Sequence, residues 1–156
     1  MASRKPLVIG PSGNIEQLQA GDNVEVGAAK QIFTATNTNA GAITLGQPVY
    51  ISSADSVDKA SASTGSTAAA IGLVMDASVA SAAVAVIITD GVIDNSDWTA
   101  VIGSATLTAG AKYFLSTTAG LLTTIAPSAT GEYITVVGTA ISATSLEVSI
   151  RDSIKL

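Results

Sequence analysis

The sequence predicts an all-β fold, a small barrel or sandwich built from two similar β units with an extended N-terminal arm. Short apolar runs rich in Val, Ile and Thr alternate with turns of Gly, Ser, Asn and Asp, which is typical of strands joined by tight connections. No long stretch combines a helical apolar face with capping residues. Two parts of the chain, residues 43–92 and 105–150, also have similar patterns of glycine and apolar residues.

These two parts are predicted to be pseudo-repeats. Three residue pairs align at an offset of 64 positions and a pair of glycines at 66: Tyr50 with Phe114, Ser52 with Ser116, Val84 with Val148, and Gly72 with Gly138. We therefore expect one β domain over residues 27–156, preceded by an arm of residues 1–26.

The arm is too short to bury a core of its own. An apolar strand, a Pro-Ser-Gly-Asn turn and an Ala-Gly-Asp turn follow one another in it. It therefore suits a segment that lies across another surface, and a hairpin resting on its own domain is the alternative. Candidate partner-binding residues are mainly in this arm: Lys5, Leu7, Val8, Ile9, Ile15 and Leu18, with Trp98 further along.

Ahead of the first unit, the alternation in residues 24–26 and the β-branched spacing in 32–36 predict strands. Pro48 lies in an apolar run and lacks a backbone N–H, so its strand begins there or lies at an edge. The Ser, Thr, Ala and Gly run of 61–70 predicts a mobile surface loop.

Residues 68–88 are long and apolar enough to raise the question of a membrane span. Asp76 lies in the middle of this stretch, and neither end carries the Lys or Arg flanks of an inserted helix. We therefore predict two strands joined by a Ser/Ala turn, and no membrane partner.

The linker between the units holds the only tryptophan, Trp98. It is interpreted first as core between the two units, and otherwise as an exposed anchor in an interface. A single short helix is predicted around 94–102, where Asn95 or Ser96 caps the first turn.

Reactive groups are scarce in this chain. It has no His and no Cys, so the usual general base near neutral pH and both soft metal ligands are missing. No nucleophile elbow or phosphate-binding loop is present. Asp90, Asp94 and Asp97 are candidate calcium ligands, but turn formation explains them without an ion. We expect no catalytic site, no metal and no cofactor.

The charge content restricts the partners. The net charge is −5 and the seven Lys and Arg residues are scattered, which excludes the clustered basic surface that nucleic acid requires. Charged residues make up only 12% of the chain, about half of the usual share. Such a surface is solvated by Ser, Thr and Asn, or is partly covered in an assembly.

Over residues 41–150 the sequence resembles the capsid cement (decoration) proteins of tailed bacteriophages. The similarity lies in short glycine-marked motifs: 46–50, 71–75, 84–86, 90–92, 107–113, 120–123 and 137–140. It implies a non-enzymatic structural protein made in the host cytoplasm and located on the outer capsid surface of the virion. It also implies a homotrimer that binds the major capsid protein. Because the arm lacks a core of its own, we expect it to supply these contacts by adding a strand to a coat-protein edge.

Two other interpretations stay open. The first residues are also similar to the starts of phage fibre and appendage proteins, which suggests a head that binds a host receptor or glycan. Trp98 with Asp94, Asn95 and Asp97 is the candidate cluster for sugar binding. A cellular β adhesion module is the third interpretation, although the apolar run Leu7–Ile9 is too short for the core of a signal peptide.

Overall fold

A computed structural model describes residues 30–156 in full and, before them, the backbone of 7–9 and 15–17. Predictions for Val24–Val26, Lys5 and Leu18 lie outside the described residues. The first strands are β1 (Leu7–Ile9), β2 (Ile15–Gln17), β3 (Gln31–Asn37), β4 (Ile43–Thr44), β5 (Pro48–Ser53), β6 (Ser56–Lys59), β7 (Ala70–Val74), β8 (Ser78–Val79) and β9 (Val84–Asp94).

The remaining strands are β10 (Lys112–Leu115), β11 (Leu122–Thr123), β12 (Tyr133–Ile134), β13 (Val136–Ala140), β14 (Ser145–Ser149) and β15 (Ile154–Lys155). Two single-turn helices are present, α1 (Gly65–Ala68) and α2 (Thr99–Ile102). The all-β prediction is confirmed, and Pro48 begins its strand as expected.

Five strands close into a barrel in the first half of the chain. Their order is β9, β3, β6, β5, β7, and β7 pairs again with β9. All of these pairings are antiparallel except β3 with β6. Because β4 and β8 pair separately and contribute Ile43 and Val79 to the barrel core, they lie against one end of it. Of the two predicted architectures, the barrel is the one formed.

The long strand β9 also belongs to a second group of strands. Its last five residues pair with β14, which is followed by β13, β10 and β11. Both halves of the chain therefore share one strand, and the second half continues the sheet instead of starting a separate one.

Equivalent strands in the two halves begin in the same way. A glycine in the left-handed region precedes each of β5 and β10, Gly46 with φ of 82° and Gly110 with φ of 80°. The pairing register then shifts in each strand, after Val49 in β5 and after Tyr113 in β10. These positions lie 64 residues apart, as the alignment of the sequences predicts.

Each irregular strand faces a glycine. Val49 pairs with Gly72, and Tyr113 pairs with Gly138. Beyond these glycines the structure departs from the sequence alignment. Leu73, which follows Gly72, pairs with Ile88, and Thr139, which follows Gly138, pairs with Glu147. The structural counterpart of Glu147 is thus Ile88, at an offset of 59, so the alignment of Val84 with Val148 is wrong in register.

Two apolar clusters hold these strands together. The smaller cluster fills the barrel: Ala35, Ile43, Val49, Val57, Val74, Val79, Ala85 and Ile87. The larger cluster joins the outside of the barrel to the second half, and its bulkiest members are Trp98, Tyr113, Leu73, Ile88, Ile93, Leu115 and Leu146. Because residues of both halves form the larger cluster, they share one core.

The prediction of a mobile loop at 61–70 is wrong. Ala62 and Ala68 are fully buried, and α1 begins after its capping residue Thr64. The Ser61 hydroxyl donates to the Thr67 hydroxyl at 3.0 Å, and the Thr67 hydroxyl donates to the Ser61 carbonyl at 2.9 Å. Small residues pack tightly here because their hydroxyl groups form hydrogen bonds with one another and with the backbone.

The prediction of strands in 68–88 is confirmed. β7 occupies Ala70–Val74 and β9 begins at Val84, with the short β8 and a turn between them. Within the part of the chain that the structure describes, no helix combines the length and the apolar character needed to cross a membrane.

The turn before β9 leads to a first prediction. Ala82 is exposed and has φ of 63°, a conformation that costs an alanine about 1 kcal/mol. We expect Ala82→Gly to raise the free energy of unfolding by about 0.5 kcal/mol, because relief of this strain exceeds the added entropy of the unfolded chain. Chemical denaturation measures the change, and Ala77→Gly is an exposed control. A loss of stability in Ala82→Gly would contradict the left-handed turn.

Candidate functional site

Trp98 is fully buried in the larger cluster. Its indole Nε1 donates to the Thr144 carbonyl at 3.1 Å. A methyl group at Gly46 would lie 2.8 Å from the indole ring, so the absence of a side chain there makes room for it. The structure agrees with the core interpretation and corrects the inclusion of Trp98 among exposed partner-binding residues, because the linker turns the ring inward between the two halves.

The linker forms the predicted short helix with a different cap. The Asn95 side chain accepts a hydrogen bond from the Asp97 N–H at 3.1 Å, and Asp97 in turn accepts one from the Thr99 N–H at 2.9 Å. Trp98 occupies the cap position without a side-chain hydrogen bond. Asn95 and Ser96 therefore do not cap the helix, and Asp97 stabilises its first turn instead.

The pKa of Asp97 leads to a second prediction. Hydrogen bonds from the Thr99 side chain and then from its backbone lower the pKa of this exposed carboxyl below its ordinary value. A lowered folded-state pKa contributes stability above the unfolded-state pKa, and this contribution is lost as the pH falls through the folded-state pKa.

We expect NMR titration to place the midpoint of Asp97 below that of an unfolded aspartate. The slope of stability against acidic pH should be smaller in Asp97→Asn than in the parent chain. A midpoint at or above the ordinary value would contradict the hydrogen bonds to Thr99.

The three candidate calcium ligands do not converge. Asp94 accepts a hydrogen bond from the Ser145 hydroxyl at 2.6 Å, and Asp90 lies in β9 opposite Gln31 and Ser149. No group of three acidic side chains placed to hold a metal ion occurs within the described ranges. Turn and strand contacts thus account for these carboxylates.

The most distinctive exposed feature is the edge of β3 that faces away from β9. The Asn37 N–H donates toward β9, to Ala83 at 2.8 Å, whereas the Thr36 N–H donates to the Asp55 carbonyl at 2.9 Å on the other side. Because peptide groups along a strand alternate in direction, Ile32 and Thr34 point their N–H and C=O groups the same way as Thr36. Among residues 30–156 no backbone group pairs with them there.

Exposed apolar side chains lie at this edge and near it, and we call the edge the β3 edge (31–34). Ile32 is 57% exposed, and Val84 on the neighbouring strand is 64% exposed. A groove of about 290 Å³ beside them is lined by Thr34, Ala35, Thr36, Asp55 and Val84. The exposed Lys30 precedes β3 at one end of the edge, and the exposed Asp55 lies at the other.

The predicted arm residues are only partly described. Leu7, Val8 and Ile9 form β1, which pairs antiparallel with β2 from Ile15. No other described strand pairs with β1 or β2. The sequence interpretation missed the β3 edge, since its strand pattern gives no sign of which neighbour is absent.

Comparisons with known proteins do not place the chain. No model of a known protein family matches the sequence, and a search of curated proteins finds no similar sequence.

Proposed function

We propose that the protein is a non-enzymatic structural component of a phage virion that decorates and stabilises the outer capsid surface. In this proposal it acts as a homotrimer on the major capsid protein. One observation carries the proposal. The glycine-marked motifs that resemble capsid cement proteins coincide with positions where the fold requires glycine, namely Gly46, Gly72, Gly110 and Gly138.

This coincidence gives the motifs a structural reason. Gly46 and Gly110 take left-handed turns before equivalent strands, and Gly72 and Gly138 allow neighbouring strands to approach closely. A resemblance that rested on composition alone would place glycines without regard to these positions. The motifs therefore support a body of two glycine-marked β units, as the resemblance implies.

The chemistry of the surface also favours adhesion over turnover. The chain has neither His nor Cys, and only 12% of its residues are charged. Exposed apolar side chains occur at several places: Ile32, Ile51, Val84, Ile125, Ile141, Ile154 and Leu156. Protein partners cover such side chains, and three copies bind a repeating lattice more strongly than one, because later contacts form at high effective concentration.

The direct test uses capsids stripped of the protein. We expect the purified chain to have the mass of a trimer in solution, to co-sediment with these capsids in saturable amounts, and to raise their resistance to heat. Bovine serum albumin at the same concentration is the sedimentation control. A trimer that leaves stripped capsids unoccupied at micromolar concentration would overturn the proposal.

The fibre-head alternative loses its main support in the structure. Its candidate sugar-binding aromatic, Trp98, is fully buried, and Asp94 and Asp97 are engaged with Ser145 and Thr99. Adsorption of the isolated protein to host cells, without binding to capsids, would nevertheless favour that alternative.

A further inference from the structure

We propose that the β3 edge receives strand β1 of a second copy of the chain, so that the copies are joined by exchanged arms. The inference deepens the proposed function by naming the contact between subunits. It rests on the proposed function only for the number of copies, which is three. The occupant is thus the N-terminal hairpin of another copy, added by β-augmentation.

The β3 edge offers what an added strand needs. Ile32 and Thr34 present two N–H and two C=O groups on the side away from β9, where the described residues supply no backbone partner. From Thr36 onward this side of β3 is already paired, because the Asp55 carbonyl accepts the Thr36 N–H and β6 begins at Ser56. The open part therefore spans the four residues 31–34, which is long enough for the three residues of β1.

The hairpin has its own reason to join a sheet. β1 and β2 pair over three residues each, and an isolated two-stranded hairpin is marginally stable in water. Addition to an edge satisfies the outer backbone groups of β1. Exposed edges of this kind also invite pairing with another chain.

Charge favours one direction for the added strand. Arg4 and Lys5 precede β1 in the sequence, and Asp55 lies at the β6 end of the β3 edge. An antiparallel addition brings the start of β1 to Asp55, whereas a parallel addition brings these basic residues toward Lys30. The antiparallel direction therefore combines opposite charges and avoids like charges.

The connection favours a second copy over the same copy. With β1 antiparallel to β3, β2 runs parallel to β3, so within one chain residues 18–29 would have to cross back over β1. Such parallel crossovers take about a dozen residues or more and usually contain a helix, so the twelve residues 18–29 are at the lower limit for one. If the arm joins a neighbouring copy, the connection leaves its own sheet and needs no crossover. Its twelve residues, 18 to 29, reach about 40 Å when extended. Exchange from each copy to the next is head-to-tail, and it closes into a ring at a suitable rotation.

Disulfide cross-linking tests this contact in the full chain, which has no native cysteine. Single variants Leu7→Cys, Val8→Cys and Ile9→Cys are each co-expressed with a size-tagged Thr34→Cys chain. We expect an interchain disulfide for at least one of the three. Thr123→Cys, on the short edge strand β11, is the matched control and should form none with the same partners.

The outcomes separate the possibilities. Cross-links confined to one chain, seen when Leu7→Cys and Thr34→Cys are combined in a dilute preparation, would overturn the exchange, as would a stable oligomer in which Thr34→Cys reacts with none of the three. A cross-linked oligomer that fails to bind stripped capsids would support the exchange while counting against the proposed function.

A charge variant gives a second readout that does not depend on cysteine geometry. Asp55 has φ of 53°, which asparagine also tolerates, so Asp55→Asn removes the charge and keeps the turn. We expect the dissociation constant of the oligomer to rise about threefold, and Lys5→Gln to give a similar rise. Asp152→Asn, at another exposed carboxylate, is the control. An equal rise in the control, or none in Asp55→Asn, would contradict the placement of the strand.

Discussion

Gly138→Ala is expected to lower the free energy of unfolding by about 3 kcal/mol, and Gly72→Ala by a similar amount. A methyl group at Gly138 would overlap the Glu147 carbonyl oxygen, and one at Gly72 would lie 2.5 Å from the Ile88 carbonyl oxygen. Both oxygens belong to strands paired with the glycine's own strand, so the ladder must open to admit the methyl. Chemical denaturation measures the loss, and the melting temperature should fall by about 10 °C.

Gly41→Ala is the matched control for both variants. The nearest atom to its added methyl is a side-chain oxygen of Asn39 at 3.6 Å, an ordinary contact. We expect a change within about 0.5 kcal/mol. If Gly138→Ala were as mild as this control, the close approach of β13 to β14 would be wrong.

The sequence predicts most strands because their apolar residues are β-branched and are separated by glycine or small polar turns. β5 begins at Pro48, and β7 and β9 lie in the apolar stretch that contains Asp76. The buried carboxylate of a membrane span would have no partner, whereas Asp76 here accepts a hydrogen bond from the Val86 N–H at 2.7 Å. Local composition was sufficient for these elements.

Barrel closure could not be predicted, because it depends on pairings between distant parts of the chain. β9 pairs with β3 and β7 in its first part and with β14 in its last part. One local signal of this double role exists. Ile87 and Ile88 are consecutive and both fully buried, the first inside the barrel and the second in the larger cluster. A strand covered on both faces produces this pattern.

The candidate site was only half accessible to sequence reasoning. An arm without its own core indicates an interaction segment, and this gave the residues of β1 and β2. The β3 edge, in contrast, is defined by the neighbouring strand β6, which begins only at Ser56, and no residue in 31–34 reports where another strand begins. For Trp98 the deciding feature is Gly46, which is far away in sequence and leaves room for the indole.

Trp98→Ala should have the largest effect on stability, a loss of about 4 kcal/mol in the free energy of unfolding. The ring is fully buried where both halves of the chain meet, in contact with Gly46 and near Val101. Its removal leaves a cavity that paired strands cannot collapse to fill. Urea denaturation followed by far-UV circular dichroism measures the loss, since the variant has no tryptophan fluorescence.

Trp98→Phe separates the volume of the ring from its hydrogen bond. Phenylalanine keeps much of the apolar contact but cannot donate to the Thr144 carbonyl, so we expect a loss of about 1 to 2 kcal/mol. If both variants lost less than about 1 kcal/mol, the ring would contribute little to the core, and an anchoring role at an interface would regain support. A large loss in Trp98→Ala with an intermediate loss in Trp98→Phe is the result expected if the indole stabilises the packing of the two halves by both its volume and its hydrogen bond.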